Sequence, residues 1–158
     1  MLMDFVRFKS AVIKLGAFEK SNIRKKYIEK FVNTESDIYQ EQINALRKYR
    51  DGYCYQGYLW DCIIGSTIVD EDFIARAVSA NEQVYVFWDI HSSERILIKD
   101  YWKFEKDDVL QMSMKLLVEN EVFLPEDIYI VDKDITWTLI KTHEDIDGKR
   151  YCMKSGNI

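Results

Sequence analysis

The stretch FEKSNIRKKYIEKFVN, residues 18–33, sets Ile23, Tyr27, Ile28 and Phe31 at i, i+4, i+5 and i+8, with most of its lysines and arginines off that face. That spacing predicts an amphipathic helix. Thr34 followed by Asp37 is a capping signal for a second helix, continuing through Ile38, Ile43, Leu46 and Tyr49 and stopped at Asp51-Gly52. The next run, DGYCYQGYLWDCIIGS, carries Tyr53, Tyr55, Tyr58 and Trp60 and is too aromatic for a solvated loop. Leu59, Cys62 and Ile63 recur at helical spacing there, so a buried helix is expected from Tyr58 to Ile64. A short helix, DEDFIARAVSA, should open at Asp70-Glu71-Asp72, where the positive end of the helix dipole favours acids.

The period then changes. QVYVFWDI, residues 83–90, is dense in β-branched and aromatic residues, the pattern of a central strand buried on both faces. ERILIKDYW reads as another strand after His91-Ser92-Ser93, and Lys106-Asp107-Asp108 opens a helix lined by Val109, Met112, Leu116 and Leu117, closed before Pro125. IYIV, 128–131, and TWTLIKT, 136–142, are the arms of a β-hairpin around Asp132-Lys133-Asp134, with Trp137, Leu139 and Lys141 on one side of the second arm. RYCMK returns as a third strand after Asp147-Gly148. Helices first and antiparallel strands later imply a single α+β domain over residues 1–158, with helices packed on one face of a mostly antiparallel sheet. Strand order, edge exposure and oligomeric state do not follow from the pattern.

Composition agrees with a chain that folds on its own core: 158 residues, 47% hydrophobic and 14% aromatic. The net charge of −5 conceals an asymmetry, because residues 1–33 carry eight Lys or Arg against three acids, while the remainder carries 14 against 24. An acidic body repels nucleic-acid phosphate and attracts a basic partner, and it also serves solubility. The basic helix from Lys20 to Lys30 reads as a solvated face, so nucleic acid is not an expected partner. Three cysteines without C-x-x-C spacing read as reduced thiols of a cytoplasmic protein. The charged N-terminus lacks the apolar core of a secretory signal, and no stretch is long and apolar enough for a membrane span.

Candidate chemistry is sparse. His143-Glu144-Asp145-Ile146-Asp147 gathers an imidazole and carboxylates that suit a metal or acid-base work, but a zinc-protease motif needs a second histidine where Asp147 stands. The other reading of His143 and Glu144 is that they anchor the turn by hydrogen bonds. Asp89 and His91 share a side of a strand before Ser92 and Ser93, but the glycine-rich elbow of a serine hydrolase is missing, so a turn built on side-chain bonds is the expected reading. The glycines form no phosphate-binding loop, so no cofactor is expected. Tyrosine and tryptophan are common interface anchors. Tyr53 and Tyr55, nearest the glycine break, are expected at the surface, and with Asp61, Asp70, Glu71 and Asp72 they make a candidate partner-binding set.

With these residues in view, IYIVDKDITWTLIKTHE, with its W-T-x-x-x-T-H-E strand over residues 137–144, resembles a little-characterised family of small bacterial proteins. YLWDCI and VYVFWD support the resemblance, and Gly148-Lys149-Arg150-Tyr151 departs from it. It implies no catalytic residues. The build is also similar in type to immunity proteins of bacterial contact-dependent and polymorphic toxin systems. That likeness implies a non-enzymatic binding protein whose partner is a cognate toxin, often a basic nuclease, with no membrane or cofactor involved. The alternative is a small enzyme or metal-binding protein using His143, Glu144 and Asp147.

Overall fold

The computed structural model describes residues 3–158. Helix α1 (Phe5–Ala11) leads into β1 (Ile13–Lys14) and the longest helix, α2 (Ala17–Phe31). A small hairpin, β2 (Arg47–Tyr49) and β3 (Gly52–Cys54), stands apart from the main sheet. The chain continues through β4 (Thr67–Val69), α3 (Glu71–Arg76), β5 (Gln83–Phe87), β6 (Leu110–Ser113) and α4 (Met114–Asn120). It ends in β7 (Ile128–Asp132), β8 (Trp137–Ile146) and β9 (Lys149–Gly156). The main sheet is seven-stranded in the order β1-β6-β5-β7-β8-β9-β4, and every pairing in it is antiparallel. This is the α+β architecture that the late hairpins imply.

Strand alternation divides the core. Val84, Val86, Ile128, Ile130 and Leu139 point to one side, where α1, α3 and α4 contribute Phe8, Ile74 and Leu117. Phe87, Tyr129, Val131, Ile140 and Met153 point to the other, against Ile23, Tyr27 and Phe31 of α2. The long helix thus covers one face, and the short helices add cover to the second. Burial on both sides explains why β7 is apolar at nearly every position. The β7–β8 hairpin forms as the sequence predicts. Asp132 caps its turn, accepting hydrogen bonds from the backbone N–H of Thr136 (2.6 Å) and Trp137 (3.0 Å).

Other segments depart from local expectation. Between residues 34 and 49 the helical pattern yields only one π-helical segment, Tyr39–Asn44, before β2 begins. The helix expected over 58–64 shrinks to a 3-10 turn, Leu59–Cys62, because Ile63 bridges to Val32 and the N–H of Ile64 is taken by the carbonyl of Phe31. Residues 94–102 form no strand. Both edges of β5 are occupied, by β6 and β7, and Leu97 is left 86% exposed. Helix α4 starts only at Met114, since Leu110 and Met112 also fit a period of two and pairing with β5 decides between the periods. The Ser113 hydroxyl then caps α4 through the N–H of Leu116.

Arg24, on the buried face of α2, locks this layer in place. Its guanidinium donates to the carbonyls of Trp88 (2.9 Å), Lys106, Asp107 and Asp108 (3.0 Å) and lies over the Phe87 ring. Four carbonyls of the irregular segment after β5 are thereby satisfied by one side chain.

Candidate functional site

The segment Gly57–Trp60 is fixed by side chains from distant parts of the chain. Asp89, two residues beyond β5 and buried, accepts the N–H of Leu59 at 3.0 Å and the hydroxyl of Tyr129 at 2.7 Å. The Tyr129 oxygen in turn accepts the N–H of Trp60 at 3.0 Å. His91 Nε2 lies 2.8 Å from the Gly57 carbonyl, an acceptor only, so that nitrogen carries the proton. Burial pushes the Asp89 carboxyl up to about 7 and lowers the affinity of His91 for a second proton. Both groups are positioned as struts.

What they hold in place is a contiguous set of rings. Tyr58 stacks on Trp60 (centroids 5.2 Å apart) and touches His91 (4.6 Å) and His143 (5.1 Å), while Trp60 reaches Tyr151 at 6.0 Å. Asp127 ties the set together. It accepts the Trp60 indole N–H at 3.0 Å and the backbone N–H of His143 at 3.0 Å, and both of its oxygens lie 3.0 Å from His143 Nδ1. Nδ1 therefore carries a proton, and Nε2 is directed elsewhere, 3.9 Å from Glu144.

Beside the rings runs an open groove of about 820 Å³. Glu71, Glu121 and Arg150 of its wall belong to an ion network completed by the buried Lys141: Lys141 Nζ lies 2.5 Å from Glu121 and 3.2 Å from Glu71, and Arg150 Nη1 lies 2.7 Å from Glu121 and 3.5 Å from Glu71. These charges cancel internally. Asp100 and Asp145 also line the groove and have no ion pair among the described residues, and Ile98 and Val122, 60% and 71% exposed, stand on its rim. Two hydroxyls line it, and neither is poised as a nucleophile. Thr142 Oγ1 donates to the Tyr151 carbonyl, and the Tyr101 oxygen accepts the N–H of Glu126.

The residues singled out in the sequence separate in space. Tyr53 is 62% exposed, as expected, on the isolated hairpin. Tyr55 is a correction: it is only 7% exposed, because its N–H bonds to the Ile90 carbonyl at 2.7 Å and its ring joins the α2-side core. Asp70 caps α3 through the N–H of Phe73, Glu71 belongs to the Lys141–Arg150 network, and Asp72 stays exposed. Asp61 is exposed beside the ring set. Its carboxyl is raised by partial burial and then by the charge of Glu144, with His143 opposing.

His143 and Glu144 adjoin the groove, while Asp147 sits in the β8–β9 turn with φ 53°. Four residues along an extended strand are roughly 13 Å, so Asp147 is not brought to His143. The partner of His143 is Asp127, which nothing near it in sequence announces, since its side-chain partners lie 16 and 67 residues away. The one three-residue set of potential metal ligands among the described residues is Glu105, Asp107 and Asp108. Lys20 already approaches Asp107 at 3.0 Å there, and Lys14 approaches Asp108 at 3.5 Å.

Taken together, the site offers ring surface, carboxylates without ion partners, two lysines (Lys99 and Lys103) and one oriented imidazole. Among the described residues no helix is long and apolar enough to cross a membrane. No curated protein and no solved structure matches the chain. Residues 2–152 match the Domain of unknown function (DUF4275), and the chain belongs to that family.

Proposed function

We propose that this is a non-enzymatic binding protein of the immunity type, which neutralises a basic, nuclease-type bacterial toxin by covering its active site. The observation that carries the reading is the surface around His143. Half-buried rings (Tyr58, Trp60, Tyr151) adjoin a groove where Asp100 and Asp145 lack cationic partners and where Ile98 and Val122 are exposed. Among the described residues that line this groove, carboxylates without an ion pair (Asp100, Glu126 and Asp145) outnumber lysines without one (Lys99 and Lys103), and aromatic anchors beside apolar side chains with a net acidic lining suit an interface with a basic partner. The acidic excess after residue 33 extends the same sign over the body.

Co-expression tests it. The chain should restore growth to cells producing the toxic product of a neighbouring reading frame, and the two products should co-purify. Unprotected cells, with both proteins soluble and made, would remove the proposal's content.

A second reading rests on the Asp127–His143 pair. A carboxylate on Nδ1 and an outward Nε2 form the positioning half of an acid-base site. Metal binding through Nε2 would use the same orientation. Metal analysis of the purified protein, with His143→Ala as the control, decides for or against a bound ion.

A further inference from the structure

The strand order leaves the main sheet two free edges, β1 and β4, and they differ in how they are guarded. A free edge offers a row of N–H and C=O groups to any other strand, and lysine, proline or extreme shortness is what normally blunts it. β1 is two residues long and carries Lys14, whose ammonium lies 3.5 Å from Asp108. β4 has three residues and extends a run, 64–68, that is exposed at every position. From Cys62 to Val69 there is no charged residue and no proline. Ile68, at the middle of β4, is 67% exposed, and no backbone group of residues 65–69 bonds to any described segment other than β9.

Beside this edge the sheet steps down. β9 runs on past the end of β4, since Val69 is already opposite Cys152, and at the step lies a hollow of about 470 Å³. Ile68, Phe73, Ile146 and Tyr151 give it an apolar wall. Three charges also line it. Arg150 is matched by Glu121 and Glu71, which leaves Asp70 and Lys149, one of each sign and neither in an ion pair among the described residues.

That balance decides what covers the edge. A strongly basic partner finds no excess of acid here, and two copies of a chain of net charge −5 repel each other at long range. At this patch the repulsion is absent: the strand is uncharged and its two free flanking charges have opposite signs, so the patch is complementary to itself. Self-complementarity is the condition a two-fold axis imposes on an interface. Antiparallel pairing with the axis at Ile68 sets Ile68 against Ile68 of the second copy, Thr67 against Val69 on either side, and Ser66 against Asp70. β-branched side chains then meet at three successive positions, and no like charges face each other.

We infer that the chain forms a two-fold dimer through β4, the two seven-stranded sheets joining edge to edge with Ile68 at the axis and the second copy covering the apolar hollow. Arg150 lines both this hollow and the groove beside His143, so the dimer carries a groove close to each side of the junction. The inference goes beyond the toxin-binding reading and needs no other protein.

Sedimentation velocity on the full chain tests it. From about 10 µM to about 1 mM, the range in which a small interface associates, the mass should rise from 18.8 kDa towards twice that value. Ile68→Lys, at an exposed position, sets two ammonium groups together at the axis and should weaken association about tenfold or more, with its thermal unfolding unchanged. Ile68→Glu should do the same. An equimolar mixture of the two variants should dimerise again, and added salt should weaken that mixed dimer but not the wild type. Ile13→Lys, on the other edge, should dimerise like the wild type. A wild type that stays monomeric throughout, an Ile68→Lys protein that associates as tightly as the wild type, a mixture that remains monomeric, or a loss of association in Ile13→Lys would each overturn the assignment. No toxin enters this experiment, so its outcome is separable from the co-expression result.

Discussion

Asp89 shows how one buried side chain converts position into a measurable property. Its carboxylate organises Leu59, Tyr129 and, through Tyr129, Trp60, and burial holds its proton to about pH 7. In the unfolded chain an aspartate loses that proton near pH ~4. Between those values the folded state binds more protons than the unfolded one, so this group removes stability as pH rises from about 4 to about 7, by at most about 1.4 kcal/mol per pH unit. Above that window the cost is constant. Asp89→Asn lacks the titration, and its urea midpoint should therefore vary less over the window than that of the wild type. Parallel pH profiles for the two proteins would show that Asp89 ionises normally in the fold.

At the scale of elements, the β8–β9 hairpin carries the site. His143, Glu144, Arg150 and Tyr151 all lie on it. Its turn has Asp147 and Gly148 both at positive φ (53° and 77°), the geometry whose twist matches that of paired strands. At the far end Gly156 adopts φ 85°, and a Cβ there would press on the Thr136 carbonyl oxygen and lie 2.9 Å from the Trp137 Cα. Gly156→Ala is expected to cost about 2 kcal/mol or more, through backbone strain and displacement of the β8 start. Thermal or urea unfolding measures it. A loss of less than about 0.5 kcal/mol, the usual range for a surface change, would mean that the C-terminal end of β9 is free to move aside.

At the scale of the whole molecule the proposed function makes encounter depend on the separation of charge along the chain. Residues 1–33 are basic and the remainder acidic, so a basic partner is steered away from the first part and towards the second. For a basic toxin the association rate should fall about tenfold or more between low salt and 0.5 M salt, with a smaller change in the dissociation rate, as stopped-flow mixing would record. A rate indifferent to salt would remove electrostatics from the recognition.

Much of this organisation is written locally. The α2 face of Tyr27 and Phe31, the doubly buried β5, the IYIV–TWTLIKT hairpin and the Asp147-Gly148 turn each follow from a period or a turn preference that a few neighbouring residues satisfy among themselves. Local pattern fails where two periods coexist, as at Val109–Met112, or where a partner strand is already taken, as for residues 94–102. The site belongs to that second category. His143 and Glu144 stand out in the sequence, and Asp61 is among its acids, but the Asp127 contacts to Trp60 and His143 and the tilted contact of Tyr58 with His143 join residues up to 85 positions apart. The class of fold, the hairpins and the imbalance of charge are legible along the chain, because those depend on neighbouring residues. That Tyr55 is core and that Asp127 joins Trp60 to His143 emerges only when the segments pack. Those outcomes depend on which strand edges and buried donors are still unpaired when distant segments meet.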